Sequence, residues 1–199
     1  VTEGTAGLSG YWPAARLEVG VSAGMSHWRS STATAVRSEA EAIGGGRLGL
    51  RVAPGLTLAA DGVRARYRWT TASLTTPVIT TTARTLLRLD RRGWLGEAAV
   101  QRTAYPDDNA THTAYAWLLA PVGSGAGVSL QAGYAFSREN ADATRYTLGG
   151  SYAPYFTPSN QVQHSAAAAL GLWSQAGVRL QLGGSYAIHA ERDVPQLLG

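Results

Sequence analysis

Val128-Ser-Leu-Gln-Ala-Gly-Tyr-Ala-Phe136 and Val178-Arg-Leu-Gln-Leu-Gly-Gly-Ser-Tyr-Ala-Ile188 carry an apolar side chain at every second residue, with small or polar residues between. This alternation predicts strands with one apolar and one polar face. Such runs recur about every 20 residues and are about ten residues long, the length that a tilted strand needs to cross a bilayer. The sequence therefore predicts an all-β protein, an antiparallel transmembrane up-and-down β-barrel of about ten strands, with 8 or 12 as alternatives.

The composition bounds the fold in the same direction. No charge run or Pro/Ser-rich linker divides the 199 residues, so residues 1–199 are expected to form a single barrel domain. The 24 Gly, 6 Trp and 9 Tyr stand against only 2 Phe and 1 Met, a poor mixture for a close-packed aliphatic core. No stretch approaches the roughly 18 apolar residues of a transmembrane helix, which excludes a helical membrane protein.

Several classes of site are disfavoured by residue content. Cysteine is absent, which removes disulfides, thiolate metal sites and cysteine nucleophiles. All 17 basic residues are arginine and they are dispersed, so no nucleic-acid partner is expected. The sequence opens without a signal peptide or an initiator Met, and we infer a chain processed or excised from a longer one.

The alternation can be followed along the whole chain. In the third run its parity changes near Asp61-Gly62, which predicts a β-bulge at Gly62 and places Arg64, Arg66 and Arg68 on the polar face. The predicted strands lie at about 17–25, 40–53, 56–69, 78–90, 94–104, 112–122, 128–136, 144–153, 161–173 and 178–190.

Two parts of this assignment stay open. The strand over 112–122 is apolar on both faces, so its orientation is undecided. The segment 138–160 contains either the strand over 144–153 or one long loop, which would leave nine strands. Short and long connections otherwise alternate, as is typical of outer-membrane barrels.

Aromatic and turn motifs in the second half carry a family resemblance. They are Tyr105-Pro-Asp-Asp-Asn-Ala110, Ala114-Tyr-Ala-Trp-Leu-Leu-Ala-Pro121, Gly133-Tyr-Ala-Phe-Ser137 with Asn140-Ala-Asp142, and Tyr152-Ala-Pro-Tyr-Phe-Thr-Pro-Ser-Asn160 with His164. Over about residues 60–190 the chain resembles the C-terminal barrel of tetratricopeptide-containing outer-membrane proteins related to the cellulose-export porin. The resemblance implies a bacterial outer-membrane location and passage of an exopolysaccharide, and it supplies no catalytic residue.

Inward-facing polar residues are the main candidate functional set. The predicted pore-lining residues are Arg47, Arg51, Arg64, Arg66, Arg68, Arg84, Arg88, Glu97 and Gln101. One interpretation is a positive wall that favours anionic solutes. The other is that the arginines pair with Glu18, Glu39, Glu41, Asp61, Asp90 and Glu97 and fill the interior of a small barrel.

Sugar stacking is a second candidate role. Tyr152, Tyr155 and Phe156 lie beside Pro154 and Pro158 and are the predicted carbohydrate-stacking residues. The four histidines have no metal-ligand spacing and no nucleophile elbow is present, so no metal, no cofactor and no enzyme activity are expected.

Three functions remain from the sequence. The first is an outer-membrane porin or export channel whose partners are membrane lipids and a polysaccharide or anionic solute. The second is a plugged barrel that serves as an anchor or adhesion scaffold. The third is a soluble β-sandwich that binds carbohydrate, which the apolar faces of 112–122 favour.

Overall fold

Ten antiparallel strands make up one sheet. The computed structural model describes residues 2–31, 36–68, 73, 78–143, 155, 157, 159–173 and 179–193. The strands are β1 (Thr2–Trp12), β2 (Leu17–Ser31), β3 (Val36–Ala53), β4 (Leu56–Arg66), β5 (Ile79–Arg91), β6 (Trp94–Ala104), β7 (Ala110–Gly125), β8 (Val128–Ala141), β9 (Ser159–Trp173) and β10 (Arg179–Asp193). Each strand pairs with its neighbour in sequence, which confirms the all-β, up-and-down arrangement.

The sheet is open in this structure. Within the described residues β1 pairs only with β2 and β10 only with β9, so one edge of each strand has no partner. The side chains of β1 are almost all exposed, and so are those of residues 180 and 182–188 in β10. Among the same residues, no helix has both the length and the apolar character needed to cross a membrane.

Connections of two kinds define the two ends of the sheet. Residues 13–16, 54–55, 92–93, 126–127 and 174–178 link strands at one end, called here the short-turn end. Residues 32–35, 67–78, 105–109 and 142–158 link strands at the other, the long-loop end. The predicted alternation of short and long connections is therefore present between residues 54 and 158, where connections of two residues alternate with connections of five or more.

Two hairpins at the short-turn end have two-residue loops with positive φ at both positions. Arg92 and Gly93 have φ of 52° and 84°, and Ala126 and Gly127 have φ of 47° and 81°. These values are those of type I′ turns, whose twist matches that of the flanking strands. At Gly127 an added Cβ would lie 2.4 Å from the carbonyl oxygen of Trp173, so the turn requires glycine.

The register separates the side chains into two faces. The apolar face carries exposed aliphatic residues that are 42–61% accessible, namely Leu48, Leu50, Leu58, Leu87, Val100 and Leu118. The polar face carries the register row Arg47, Asp61, Arg84, Gln101 and Thr113. A small cluster of Ala59, Leu86 and Ala99 is buried on the polar face, and Tyr115 packs against it.

The register decides the orientation of β7, which the sequence left open. Tyr115 pairs with Ala99 and Trp117 with Glu97, so both aromatic side chains lie on the polar face. Ala114, Ala116 and Leu118 lie on the apolar face. Both faces of β7 are apolar because its aromatic side chains cover the buried cluster on the polar face, while its aliphatic side chains lie on the apolar face.

The count of ten strands is right, but one assigned strand differs. β1 was not predicted, because Thr2–Trp12 is rich in glycine and small polar residues and has only a weak apolar alternation. The predicted strand over 144–153 lies outside the described residues. β8 and β9 pair directly with each other, in agreement with the interpretation of this stretch as a connection.

The predicted bulge at Gly62 is wrong. Pairing of β4 with both β3 and β5 runs through Gly62 without a register shift. The shifts occur instead beside Val52 in β3, beside Val122 in β7 and in β10. Arg64 and Arg66 consequently share the parity of Leu58, opposite to the prediction.

Candidate functional site

A chain of charged and hydroxyl groups crosses the polar face from β4 to β7. Arg84 donates to both carboxylate oxygens of Asp61, with the shortest contact 2.9 Å from Nη2 to Oδ2. Arg88 donates to Glu97 Oε2 at 2.7 Å from Nη2 and 3.0 Å from Nε. Tyr115 joins the two pairs, since its hydroxyl donates to Glu97 Oε1 at 2.6 Å and accepts from Arg84 Nη1 at 3.4 Å. This row of bonded side chains, called here the charged chain, links the polar faces of four adjacent strands.

Other predicted arginines also have carboxylate partners. Arg47 Nε lies 3.6 Å from Glu18 Oε1, and Arg64 Nη2 lies 3.2 Å from Glu41 Oε2. Arg68 pairs with Glu3, which the sequence analysis did not nominate. Five of the seven predicted arginines (Arg47, Arg64, Arg68, Arg84 and Arg88) are thus paired. The geometry agrees with the ion-pair interpretation of this set, since a paired guanidinium contributes little net positive field.

Arg64 reaches Glu41 despite its parity. Its Nε donates to the carbonyl oxygen of Ala42 at 3.1 Å, so the side chain extends along β3. Gly44 and Gly45, which lie opposite this part of β4, have no side chains to obstruct it. The length of arginine therefore compensates for a backbone register that points the wrong way.

The remaining two predicted arginines differ from one another. Arg51 is exposed, and its guanidinium carbon lies 5.7 Å from the centroid of the Tyr11 ring, a cation–π contact. Arg66 is 9% exposed, and none of its three side-chain nitrogens has a hydrogen-bond partner within the described part of the chain. The pore-lining role of all seven arginines stays a prediction.

A polar pocket of about 360 Å³ lies on the polar face beside the charged chain. Hydroxyl and amide groups from four strands dominate its wall, and one carboxylate joins them. The residues are Thr80, Thr82, Gln101, Thr103, Thr111, Thr113, Glu139 and Gln161, with Tyr67 and Tyr105 at one side. Thr82 and Thr103 share a hydrogen bond of 3.1 Å between their hydroxyls. Gln101, a predicted pore-lining residue, is the register partner of Arg84 and donates to the Thr103 hydroxyl at 3.3 Å, so it lies between the charged chain and this pocket.

Sequence reasoning missed the threonines of this pocket. They occupy alternate positions, Thr80 and Thr82 in β5 and Thr111 and Thr113 in β7, on the polar parity of their strands. That spacing is visible in the sequence, but neutral hydroxyl groups on a polar face do not by themselves indicate a binding site. A row of neutral donors and acceptors suits ligands rich in hydroxyl groups.

Aromatic side chains cover the pocket at the long-loop end. Tyr105 and Tyr155 stack with ring centroids 4.0 Å apart, and the Tyr67 ring meets both edge-on at 6.0 and 6.2 Å. Tyr155 is 5% exposed, and its hydroxyl donates to Asp107 at 2.5 Å. Tyr155 therefore offers no open ring face to a sugar, which corrects the stacking prediction for it. Tyr152 and Phe156 lie outside the described residues.

Asn109 joins the two loops that supply this cluster. Its side-chain amide donates to the carbonyl oxygen of Ala143 at 2.8 Å and accepts from the Ala143 backbone N–H at 2.9 Å. Thr157 donates to the same carbonyl at 2.8 Å. Burial raises the pKa of Tyr105 from 10.0 to about 12. The cluster is a packed cover over the pocket rather than an open platform.

The described residues contain no group of three or more His, Asp or Glu side chains that could hold a metal ion. His112 and Asp142 form an ion-pair contact at the long-loop end, where their Nε2 and Oδ1 atoms are 3.4 Å apart. Two side chains do not complete a coordination shell.

Comparison with known proteins reveals a likeness of fold. The sequence matches no protein-family model and no curated protein sequence. A solved structure described as "Bacterial polysaccharide outer membrane secretin" superimposes with a TM-score of 0.66 at 11% sequence identity. The match covers 94% of this chain and 63% of the other, so the chain spans less than two thirds of the length of its structural neighbour.

Proposed function

We propose that this chain forms the membrane-spanning wall of an outer-membrane channel for polysaccharide, with its polar face toward the solute and its apolar face toward lipid. The segregation of the two faces carries the proposal. Exposed leucine and valine side chains occupy the apolar face over β3 to β7, while ion pairs and hydroxyls occupy the opposite one. A soluble sandwich would need a second layer to cover these aliphatic residues, and the described residues form one sheet.

The structural neighbour supports the same direction. It is described as a polysaccharide outer-membrane secretin, and its fold matches 94% of this chain. The relationship to the cellulose-export porin, which the resemblance of the sequence motifs implies, remains part of the proposal.

The solute proposed for this path is neutral rather than anionic. Five of the seven predicted arginines are paired with carboxylates, and the pocket on the polar face is lined mostly by threonine and glutamine. Hydroxyl and amide groups exchange hydrogen bonds with a sugar without a charge requirement. The positive-wall interpretation is therefore the weaker alternative.

Solute flux through the refolded protein tests the function. The chain is reconstituted into vesicles and planar bilayers, and conductance, ion selectivity and uptake of neutral oligosaccharides are recorded. We expect discrete conductance steps, weak ion selectivity and oligosaccharide uptake that Thr103→Val reduces. Lack of insertion, or insertion without any conductance or uptake, contradicts the channel.

A plugged barrel that acts as an anchor is the second candidate. The continuous chain Asp61–Arg84–Tyr115–Glu97–Arg88 is the observation that favours it, because it ties side chains across four strands. This function predicts stable insertion with no current. If the double variant Arg84→Ser with Asp61→Ser conducts a current, this row of bonded side chains is the plug.

A further inference from the structure

A groove of about 960 Å³ crosses the apolar face from β2 to β8. Its floor follows a register row in which Gly46, Gly62 and Ala83 leave little side-chain volume. Aliphatic groups border it, among them Val21, Leu48, Ala60, Val100 and Ala114. Six strand spacings of about 4.8 Å give the groove a length of roughly 29 Å.

The stagger of the strands makes this groove oblique. Val21 lies near the start of β2, beside the short-turn end. Asn140, in the last strand of the row, is the residue before the end of β8 at the long-loop end. The groove therefore runs from one end of the sheet to the other.

Basic and polar side chains collect where the groove meets the long-loop end. Arg102, His112 and Asn140 are register neighbours on β6, β7 and β8, and Arg138 lies two strands from Arg102, about 10 Å across. All four are exposed. Within the described part of the chain Arg102 has no carboxylate partner, and Arg138 only donates to the side-chain oxygen of Asn160 at 3.4 Å. Asp142 is the nearby carboxylate, and it pairs with His112.

We propose that this groove binds a phosphorylated membrane lipid, whose phosphate is held by Arg102 and Arg138 and whose acyl chain lies along the glycine and alanine floor. Charge complementarity identifies the headgroup, because arginine forks match phosphate oxygens. Among the residues that the structure describes, Arg102 and Arg138 have no paired carboxylate, in contrast to Arg47, Arg84 and Arg88 on the polar face. The apolar lining of the groove indicates that the rest of the ligand is an acyl chain. The proposal rests on the membrane location proposed above.

Glycine geometry offers a direct way to fill the groove. An added Cβ at Gly62 would have its nearest contact at 3.8 Å, to the carbonyl oxygen of Thr82. Gly62→Leu therefore places a side chain on the floor without a backbone clash at Cβ. Ala114→Leu is a second filling variant. Gly184→Leu on β10 is the matched control, because its Cβ meets nothing within 4 Å and it lies far from the groove.

Lipid binding is measured by native mass spectrometry of the refolded protein in nonionic detergent. The probes are dimyristoyl phosphatidic acid, dimyristoylglycerol with the same chains and no phosphate, and inorganic phosphate. We expect phosphatidic acid to bind at least tenfold more tightly than dimyristoylglycerol. Arg102→Gln with Arg138→Gln should abolish that preference, while Arg91→Gln with Arg92→Gln, two exposed arginines at the short-turn end, should leave it within twofold.

Gly62→Leu and Ala114→Leu should weaken phosphatidic acid at least fivefold, and Gly184→Leu should not. Equal binding of the two lipids, or an unchanged preference in the Arg102/Arg138 variant, overturns the proposal. Displacement of the lipid by inorganic phosphate together with no effect of either filling variant also overturns it, since the site would then hold phosphate alone. Conductance of these variants should equal that of the parent chain, so a failed channel assay and a failed lipid assay are distinguishable.

Discussion

The two faces of this sheet share one backbone but carry different kinds of side chain. On the polar face long side chains are held by partners, so Asp61, Arg84, Glu97 and Tyr115 form one connected network. On the apolar face the side chains over β3 to β6 are mostly aliphatic, and Leu87, between Leu86 and Arg88, is 42% exposed. The comparison shows that neighbouring residues of one strand meet opposite physical requirements, which substitutions at matched positions can test.

A charge placed on each face in turn should give the largest difference. Leu87→Arg exposes a guanidinium to hydrocarbon if the apolar face contacts lipid, at a cost of about 2 to 4 kcal/mol. Gln101→Arg, on the polar face of the neighbouring strand, should change the free energy of unfolding by less than about 1 kcal/mol. Denaturant unfolding from lipid vesicles, followed by tryptophan fluorescence, measures both. Equal costs would contradict the assignment of the faces.

Removal of one partner from the network should be the next largest effect. Asp61→Asn leaves Arg84 without its carboxylate, and because the Asp61 side chain is only 12% exposed we expect a loss of about 1 to 3 kcal/mol. Asp90→Asn, an exposed carboxylate near the short-turn end, is the control and should cost little. The same unfolding assay applies. A loss as small as that of the control would show that the network contributes only orientation.

Alkaline pH should weaken the aromatic cover of the pocket. Below pH 10 Tyr105 is neutral in both the folded and the unfolded chain and contributes no pH dependence. Between pH 10 and about 12 the unfolded chain loses the proton first, because burial raises the folded pKa to about 12, so stability falls as the pH rises. The loss attributable to this residue approaches about 2 kcal/mol.

Tyr105→Phe isolates that contribution. The variant should unfold at nearly the same denaturant concentration at pH 8 and at pH 11.5, apart from changes it shares with Tyr11→Phe, an exposed control. A pH dependence identical to that of the parent chain would contradict burial of the Tyr105 hydroxyl in the folded state.

The hairpin at residues 126–127 should give the smallest effect. Gly127→Ala meets both a positive φ of 81° and the Trp173 carbonyl oxygen, and we expect a loss of about 1 to 2 kcal/mol. Ala126→Gly at the adjacent position, whose φ is also positive, should be neutral or slightly stabilising. Refolding yield and the unfolding midpoint measure the pair.

The alternation of apolar residues predicted the locations of nine of the ten strands, β2 to β10. It failed where the side chains do not distinguish one face of a strand from the other. β1 has few large apolar groups to mark its faces, and β7 has them on both. Near Gly62 the rule assumed that an arginine must point directly toward its environment, whereas Arg64 reaches Glu41 across a glycine segment. Periodicity predicts the direction in which the Cα–Cβ bond leaves the strand, but the guanidinium of a long arginine can reach a partner on the other face.

The candidate site was predictable in its ion pairs and not in its cover. Glu18, Asp61 and Glu97 were predictable as arginine partners because they share polar parity with Arg47, Arg84 and Arg88. Glu41 was also predicted, but it meets Arg64 only because the long arginine side chain reaches it from the other parity. The stacking of Tyr155 on Tyr105 joins residues 50 positions apart in two different loops, which no local pattern encodes. The pairing of those loops depends on strand order, so it became visible only in three dimensions.

The free edges of β1 and β10 impose a rule of parity on any complete barrel. Because nine successive antiparallel pairings separate them, the two edge strands run in opposite directions. They can bond to each other directly, or through inserted strands that come in even numbers, since an odd insertion would force one parallel contact. An all-antiparallel barrel completed from this sheet therefore has an even number of strands.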